Sequence, residues 1–216
     1  MRVVVLASGG LDSTVLMAHL KDQENEVLAF SVNYGQRHSK ELEAAIKVCD
    51  YLEIKQVCVD LSNLRTIMTK SALTGMLEVP DGHYEDESMK ATVVPNRNML
   101  LLSAAISLCI SQDFDAVAYA AHAGDHAIYP DCRPEFAWAM QRAASLCHYE
   151  PVQLLRPFLR LTKAEIAWKG DSLKAPLHLT WSCYKGKEKH CGTCGTCVER
   201  KEAFRIAQVA DPTGYA

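Results

Sequence analysis

Apolar residues fall into two periodicities along this chain, and the two alternate. Arg2 to Ala7 is a continuous β-branched run ending at Ser8-Gly9-Gly10. Leu11 to His19 then carries apolar residues at helical spacing, at Leu11, Val15, Leu16 and Ala18. The order is strand, glycine turn, helix. A second strand is predicted over Val27 to Val32, followed by the polar stretch Asn33 to His38. Ser39 is placed to cap a helix through Tyr51, with Leu42, Ala45, Ile46 and Cys49 on its core face and Glu41, Glu43 and Lys47 on another. A third strand follows at Gln56 to Leu61. The pattern fades between Thr69 and Thr92, where Gly75, Pro80, Asp81 and Gly82 interrupt it, and this stretch reads as mobile or lid-like.

After Val94-Pro95, Met99 to Ile110 predicts a core helix whose Ser103, Ala104 and Ala105 suit close packing on a sheet. Asp115 to Ala121 reads as a strand, Arg133 to Cys147 as a helix and Val152 to Leu155 as a short strand. Lys163 to Ser172 is a helix capped by Thr162, and Val198 to Val209 is a C-terminal helix. Parallel neighbours need crossover helices, so the alternation predicts an α/β fold with a doubly wound, mostly parallel five-stranded sheet. Such sheets take ligands at the carboxyl ends of their strands, where Ser8 to Gly10, Asn33 to His38 and Ala121 to Pro130 belong. Residues 1–175 form the α/β domain in this reading and residues 176–216 a small C-terminal segment.

Composition narrows the class. With 216 residues, 49% hydrophobic, 23 basic against 26 acidic side chains and a net charge of −3, the chain can bury a sizeable core. No apolar run approaches the ~20 residues that span a bilayer, and the first apolar run is too short for a signal peptide, which predicts a cytoplasmic protein without a membrane partner. The slight acidic excess favours a small-molecule substrate over direct nucleic-acid binding.

Ser8-Gly9-Gly10-Leu11-Asp12-Ser13 directly follows the first strand and opens the first helix. Its backbone N–H groups can form a nest for a polyphosphate at the helix N-terminus. Neither GxxxxGK[ST] nor GxGxxG is present, which argues against a P-loop NTPase and a dinucleotide-binding enzyme. Five of the nine cysteines (Cys49, Cys58, Cys109, Cys132, Cys147) lie singly and read as core fillers. Cys183, Cys191, Cys194 and Cys197 crowd into fifteen residues and offer four thiolates, enough to close a tetrahedral Zn²⁺ site with no position left for chemistry. An iron–sulfur cluster is the competing reading, weakened by the missing Cys-Pro. His190 and most of the other histidines read as bystanders.

Ser-Gly-Gly-x-Asp-Ser resembles the PP-loop of the N-type ATP pyrophosphatases. Four further stretches narrow the resemblance: Tyr34-Gly35-Gln36-Arg37-His38, Val94-Pro95-Asn96-Arg97-Asn98, Tyr129-Pro130-Asp131-Cys132-Arg133, and Ser182-Cys183-Tyr184 leading to Cys191-Gly192-x-Cys194-x-x-Cys197-x-x-Arg200. Together they resemble the 7-cyano-7-deazaguanine synthase family of queuosine and archaeosine precursor biosynthesis, from Val3 to about Phe204. One departure stands out: Asp125-His126-Ala127-Ile128 precedes Tyr-Pro-Asp-Cys-Arg, where many members carry Ser-Gly.

The resemblance implies an adenine nucleotide alpha hydrolase-like fold and an ATP-dependent ligase. It would turn 7-carboxy-7-deazaguanine and ammonia into the nitrile through an acyl adenylate, an amide and an adenylated amide. Ala7, Ser8, Gly9, Gly10, Leu11, Asp12, Ser13 and Thr14 would then hold ATP, with Asp12 on Mg²⁺ or a bound water. Arg97 and Lys163 would supply the cations that the loop lacks, completing a catalytic set with Asp12 and Ser13; Arg97 alone could equally be a helix-terminal surface arginine. Tyr34, Gln36, Arg37 and His38 would bind substrate, although a solvated turn fits them too. Asp125 and Asp131 would accept from the donor edge of the base, unless Asp131 caps a helix near Arg133. Arg133 would meet the substrate carboxylate or pair with an aspartate. A homodimer is also implied. The rival readings are a tRNA-modifying PP-loop enzyme and, from Lys185, Lys187, Lys189, Arg200 and Lys201, a zinc-ribbon nucleic-acid binder.

Overall fold

The computed structural model describes residues 1–216. Its centre is one sheet of five parallel strands, β1 (Arg2–Leu6), β2 (Glu26–Asn33), β3 (Lys55–Asp60), β4 (Ala116–Ala118) and β5 (Gln153–Leu155), in the order β3-β2-β1-β4-β5. The order reverses direction at β1, so the crevice between the loops after β1 and β4 lies at the topological switch point. Six helices cover the sheet: α1 (Leu11–Asp22), α2 (Lys40–Leu52), α3 (Arg97–Ser111), α4 (Pro134–Ala144), α5 (Lys163–Ser172) and α6 (Gly195–Ala207). No helix is long and apolar enough to cross a membrane.

The pleat of β1 divides the core. Val4 faces a cluster with Leu102 and Ile106 of α3 and Ala137 and Met140 of α4, whereas Val3 and Val5 face α1, α5 and the Val48–Cys49 step of α2. All three valines are fully buried, as a strand covered by helices on both faces requires. The helix α6 belongs to both sides: it starts among the first cluster with Cys194 and Cys197 and ends in the second with Phe204.

Some sequence expectations need correction. The stretch from Thr69 to Thr92 is packed rather than loose: Ser71, Ala72, Leu73, Thr74, Tyr84 and Met89 are buried, and Glu87–Thr92 forms a 3-10 turn. It lacks periodicity because irregular backbone, not a regular element, carries its core residues. In α2 the buried face is Ala44, Ala45, Val48 and Cys49, while Ile46 is exposed; Ser39 sits at the N-cap, yet its hydroxyl donates to Glu43 and accepts no backbone N–H. Ser103 of α3 is exposed and bonds the Met99 carbonyl, so only Ala105 of the three small residues is buried. Among the lone cysteines, Cys58 and Cys147 are exposed. Thr162 does cap α5, in a box closed by Glu165.

One glycine sets how closely the first loop approaches the sheet's outer helix. Gly9 has φ +83°, and a Cβ there would lie 2.1 Å from the Glu41 carbonyl oxygen and 2.6 Å from the Ala45 nitrogen. Both are backbone atoms of α2, so no side chain can yield. Gly10, at φ −77°, would bring a Cβ no closer than 3.3 Å to the Ser8 hydroxyl. Gly9→Ala should therefore cost about 2–4 kcal/mol in urea unfolding, and Gly10→Ala less than about 1 kcal/mol; equal losses would show that the loop does not lean on α2.

Candidate active site

The carboxyl ends of β1, β2 and β4 open into one pocket of about 240 Å³. Its floor is the β1–α1 loop. Ser8 and Ser13 bond one another at 3.1 Å through their hydroxyls, Gly10 N–H donates to the Ser8 hydroxyl at 3.2 Å, and Ser13 donates to the Gly10 carbonyl at 3.2 Å. Gly10 is the N-cap of α1 in extended conformation, which turns the chain so that the helix N-terminus faces the pocket. Ala7, Ser8, Gly10, Leu11, Asp12 and Ser13 line it. Gly9 and Thr14 do not: Gly9 packs on α2, and Thr14 is fully buried with an unpartnered hydroxyl.

Lys163, the first residue of α5, reaches across to this loop. Its Nζ lies 2.7 Å from Asp12 Oδ2, 3.4 Å from Glu199 Oε2 of α6 and 3.3 Å from His122 Nε2. His122, fully buried after β4, accepts the Gly124 N–H on Nδ1 at 3.1 Å, which places its ring proton on Nε2, 3.5 Å from Asp125 Oδ1. Asp125 also accepts from the Tyr84 hydroxyl at 2.9 Å. Burial raises the Asp12 carboxyl, but Lys163 and His122 more than offset it and hold Asp12 below the usual carboxylate range. Burial likewise raises Glu199, and there it prevails over the pull of Lys163. Asp12 Oδ1 and Glu199 Oε2 are buried without a hydrogen-bond partner. Three carboxylates against one ammonium give this end of the pocket a negative balance, so a polyphosphate would need a cation brought with it.

Much of the remaining lining is aromatic: Tyr34, Tyr84, Tyr129, Trp181 and Tyr184 contribute to it, with Arg97 entering from the first turn of α3. The Arg97 guanidinium stands 6.0 Å from the Tyr34 ring centroid and has no carboxylate within 4.0 Å. Glu41 of α2 faces the same space. Burial pushes its carboxyl up to about 7, against the pull of Arg97.

Of the residues predicted to bind substrate, Tyr34 and Asp125 line the pocket and five others do not. Gln36 folds back to accept the Tyr34 N–H at 2.9 Å, exposed Arg37 donates to the Leu77 carbonyl, and His38 pairs with the Tyr184 carbonyl at 3.2 Å. Asp131 accepts the Asn98 N–H at 3.1 Å, so it caps α3, not the helix beginning after Arg133. Arg133 is exposed and donates to the His126 carbonyl. The sequence reading missed Glu41, Tyr84, His122 and Glu199, which lie in polar or irregular stretches with no spacing that marks them. His190, read as a bystander, stays outside the thiol cluster; its buried ring lies 4.2 Å from Trp181 and accepts the Ser182 N–H at 3.0 Å.

Beside the pocket the four thiol sulfurs of Cys183, Cys191, Cys194 and Cys197 lie within 4.8 Å of one another. Cys194 is the N-cap of α6 and Cys197 lies in its first turn, so the cluster and the pocket-lining Thr196 and Glu199 share that turn and the next. Backbone N–H groups of Cys191, Thr193 and Cys194 point at Cys183 and Cys191 sulfurs at 3.3–3.5 Å.

Because the folded protein holds the Glu41 proton more tightly than the unfolded chain, stability should fall as pH rises from about 4.5 through about 7. Glu41→Gln removes that loss. In urea unfolding the variant should match the parent near pH 5 and exceed it by about 1–2 kcal/mol at pH 8; equal stability at pH 8 would mean that the carboxyl is solvated.

Comparison with known proteins agrees with this geometry. The family profile for queuosine biosynthesis protein QueC matches residues 2–208. The chain is 51% identical to the 7-cyano-7-deazaguanine synthase of Hahella chejuensis over 99% of its own length and 93% of the relative's. It is also 51% identical to the enzyme of that name from Caldicellulosiruptor saccharolyticus, over 100% and 96%. Among solved structures, the U34-tRNA thiolase NcsA from Methanococcus maripaludis with its [4Fe-4S] cluster shares the fold at TM-score 0.53 and 17% identity, over 96% of this chain and 64% of that one. By the profile match and the two full-length relatives, this chain belongs to the queuosine biosynthesis protein QueC family, the 7-cyano-7-deazaguanine synthases.

Proposed function

We propose that the protein converts 7-carboxy-7-deazaguanine and ammonia to 7-cyano-7-deazaguanine at this one pocket, consuming two ATP. The carrying observation is that the phosphate loop, Lys163 and Arg97 share a single pocket with five aromatic side chains suited to stacking a planar base. A substrate carboxylate oxygen attacks the α-phosphorus and pyrophosphate leaves. Ammonia then displaces AMP and, after loss of a proton, leaves the amide. The amide oxygen attacks a second α-phosphorus with release of pyrophosphate, and loss of AMP and of both protons on the amide nitrogen leaves the nitrile. Ser8, Gly10, Ser13 and the N-terminus of α1 would hold each departing pyrophosphate, with Gly9 setting the loop against α2. Lys163 and Arg97 would offset charge on the phosphoryl group being transferred.

Mg²⁺ fits the loop end, because Asp12 Oδ1 and Glu199 Oε2 are buried acceptors without a hydrogen bond, Glu199 Oε2 having only its 3.4 Å ion pair with Lys163; bound there, it would neutralise pyrophosphate. Zn²⁺ fits the cysteines. Tetrahedral Zn²⁺ with bonds of about 2.3 Å sets sulfurs about 3.8 Å apart, and Cys191 and Cys197 sulfurs stand at 4.0 Å. That spacing supports one ion rather than a multi-iron cluster. Within this reading residues 1–175 are the nucleotide-binding body, residues 176–216 are the zinc-held segment packed on it, and the protein is a cytoplasmic homodimer.

Four outcomes are expected. ATP breakdown should require substrate and yield AMP and pyrophosphate, and synthetic 7-amido-7-deazaguanine with ATP should give the nitrile without ammonia. Lys163→Ala and Arg97→Ala should slow both half-reactions about 100-fold or more; steady ADP release, or an inert amide, would overturn the one-site scheme. Cys194→Ser should lower the melting temperature by about 10 °C or more and release stoichiometric zinc before any single kinetic step is singled out; iron absorbance in the anaerobic protein would replace zinc with a cluster.

A further inference from the structure

Four carboxylates line the pocket: Asp12, Glu41, Asp125 and Glu199. Three are engaged by the protein. Asp12 and Glu199 flank Lys163, and Asp125 takes the Tyr84 hydroxyl and faces the His122 ring proton. The Glu41 side chain has neither a hydrogen bond nor an ion pair, and Arg97, its nearest positive influence, is beyond ion-pair distance. A half-buried acid left unpartnered in a ligand pocket is costly unless a ligand supplies donors.

The chemistry of the two ligands in the proposed reaction decides which one suits Glu41. A carboxylate presents two acceptor oxygens side by side. The Watson–Crick edge of a guanine-type base offers two adjacent donors, the ring N–H and the exocyclic amine, whereas adenine offers one donor beside an acceptor and cannot meet both oxygens. Tyr34 and Tyr184, which border Glu41 electrostatically, are aromatic walls for the ring itself. Of the two acids that the sequence offered for this edge, Asp125 holds the Tyr84 hydroxyl and Asp131 is committed to the Asn98 N–H at the start of α3.

We infer that Glu41 is the specificity-determining residue for the deazaguanine base, its carboxylate accepting from the ring N–H and the 2-amino group. This assignment rests on the proposed function. It accounts for an acid in the first turn of α2 that contributes nothing to packing, and it fixes the base against α2, whose own position is set by the contact with Gly9.

The test compares 7-carboxy-7-deazaguanine with its analogue lacking the 2-amino group, 7-carboxy-7-deazahypoxanthine, in the parent and in Glu41→Gln and Glu41→Asp. The parent should prefer the guanine form about 100-fold in kcat/KM. Glu41→Gln should lose about 100-fold on the guanine form and little on the hypoxanthine form, so that discrimination collapses, while ATP affinity in nucleotide titration is unchanged. Glu41→Asp should recover part of the preference. Parallel loss on both bases, or weakened ATP binding with discrimination kept, would overturn the role of Glu41 and leave the proposed reaction standing. Failure of the parent to turn over the guanine form would overturn the reaction and, with it, the inference.

Discussion

The site depends on one half-buried cation. Lys163 of α5 joins two parts of the chain that are far apart in sequence, Asp12 in the first turn of α1 and Glu199 on α6, and lies beside His122. The ammonium is worth little as a stabiliser in itself, since desolvating both partners of a buried pair nearly cancels their attraction. Its value is positional. Removing it would leave Asp12 and Glu199 half-buried and uncompensated, at a cost of about 1–3 kcal/mol. The three segments are therefore obliged to meet at this point, and their meeting forms the loop end of the pocket.

That constraint explains why the cysteine segment is not an appendage. The helix α6 starts at the Cys194 cap, passes Thr196 and Glu199 in the pocket wall and continues to Phe204 in the core behind α1 and α5. Arg200, wholly buried on the same helix, donates to Thr180 at 2.7 Å and to Ser182 at 3.1 Å, fixing the stretch that carries Trp181. The segment has few apolar residues of its own, so its rigidity comes from the thiol cluster and from this arginine. A disturbance at the sulfurs reaches Glu199 within five residues of Cys194, along one turn of helix.

How much of this was legible in the sequence depended on whether a function had a local pattern. The strands, the β1–α1 loop, the α5 cap and the four cysteines each combine a periodicity or fixed spacing with a chemistry, and each lies where the pattern puts it. Asp131, Arg133, Gln36, Arg37 and His38 belong to recognisable stretches, yet their side chains satisfy backbone groups nearby, which spacing cannot reveal. Glu41 erred in the opposite direction. Between Lys40 and Leu42 it reads as the solvated face of an amphipathic helix, because the apolar spacing puts Leu42, Ala45, Ile46 and Cys49 on the core face. Rotating that face by one residue, as Gly9 forces by admitting only Ala44 and Ala45 nearby, turns Glu41 inward. Glu199 and His122 carry no spacing signal; only the folded geometry brings them to Lys163.

The loop's own bonding bears on how cheaply it can accept a phosphate. Ser8, Gly10 and Ser13 close a small ring of hydrogen bonds at 3.1–3.2 Å, so none of these donors waits unsatisfied in a half-buried site. A phosphate oxygen arriving at the α1 N-terminus exchanges neutral bonds for charge-assisted ones without displacing backbone, because Gly9 has already been fixed by its contact with α2. The conformational cost of shaping the nest is thus met during folding rather than on binding. What binding must still resolve is charge, since Asp12, Asp125 and Glu199 outnumber Lys163 there. In the proposed reaction, a nucleotide escorted by a divalent cation would meet that condition and a free anion would not.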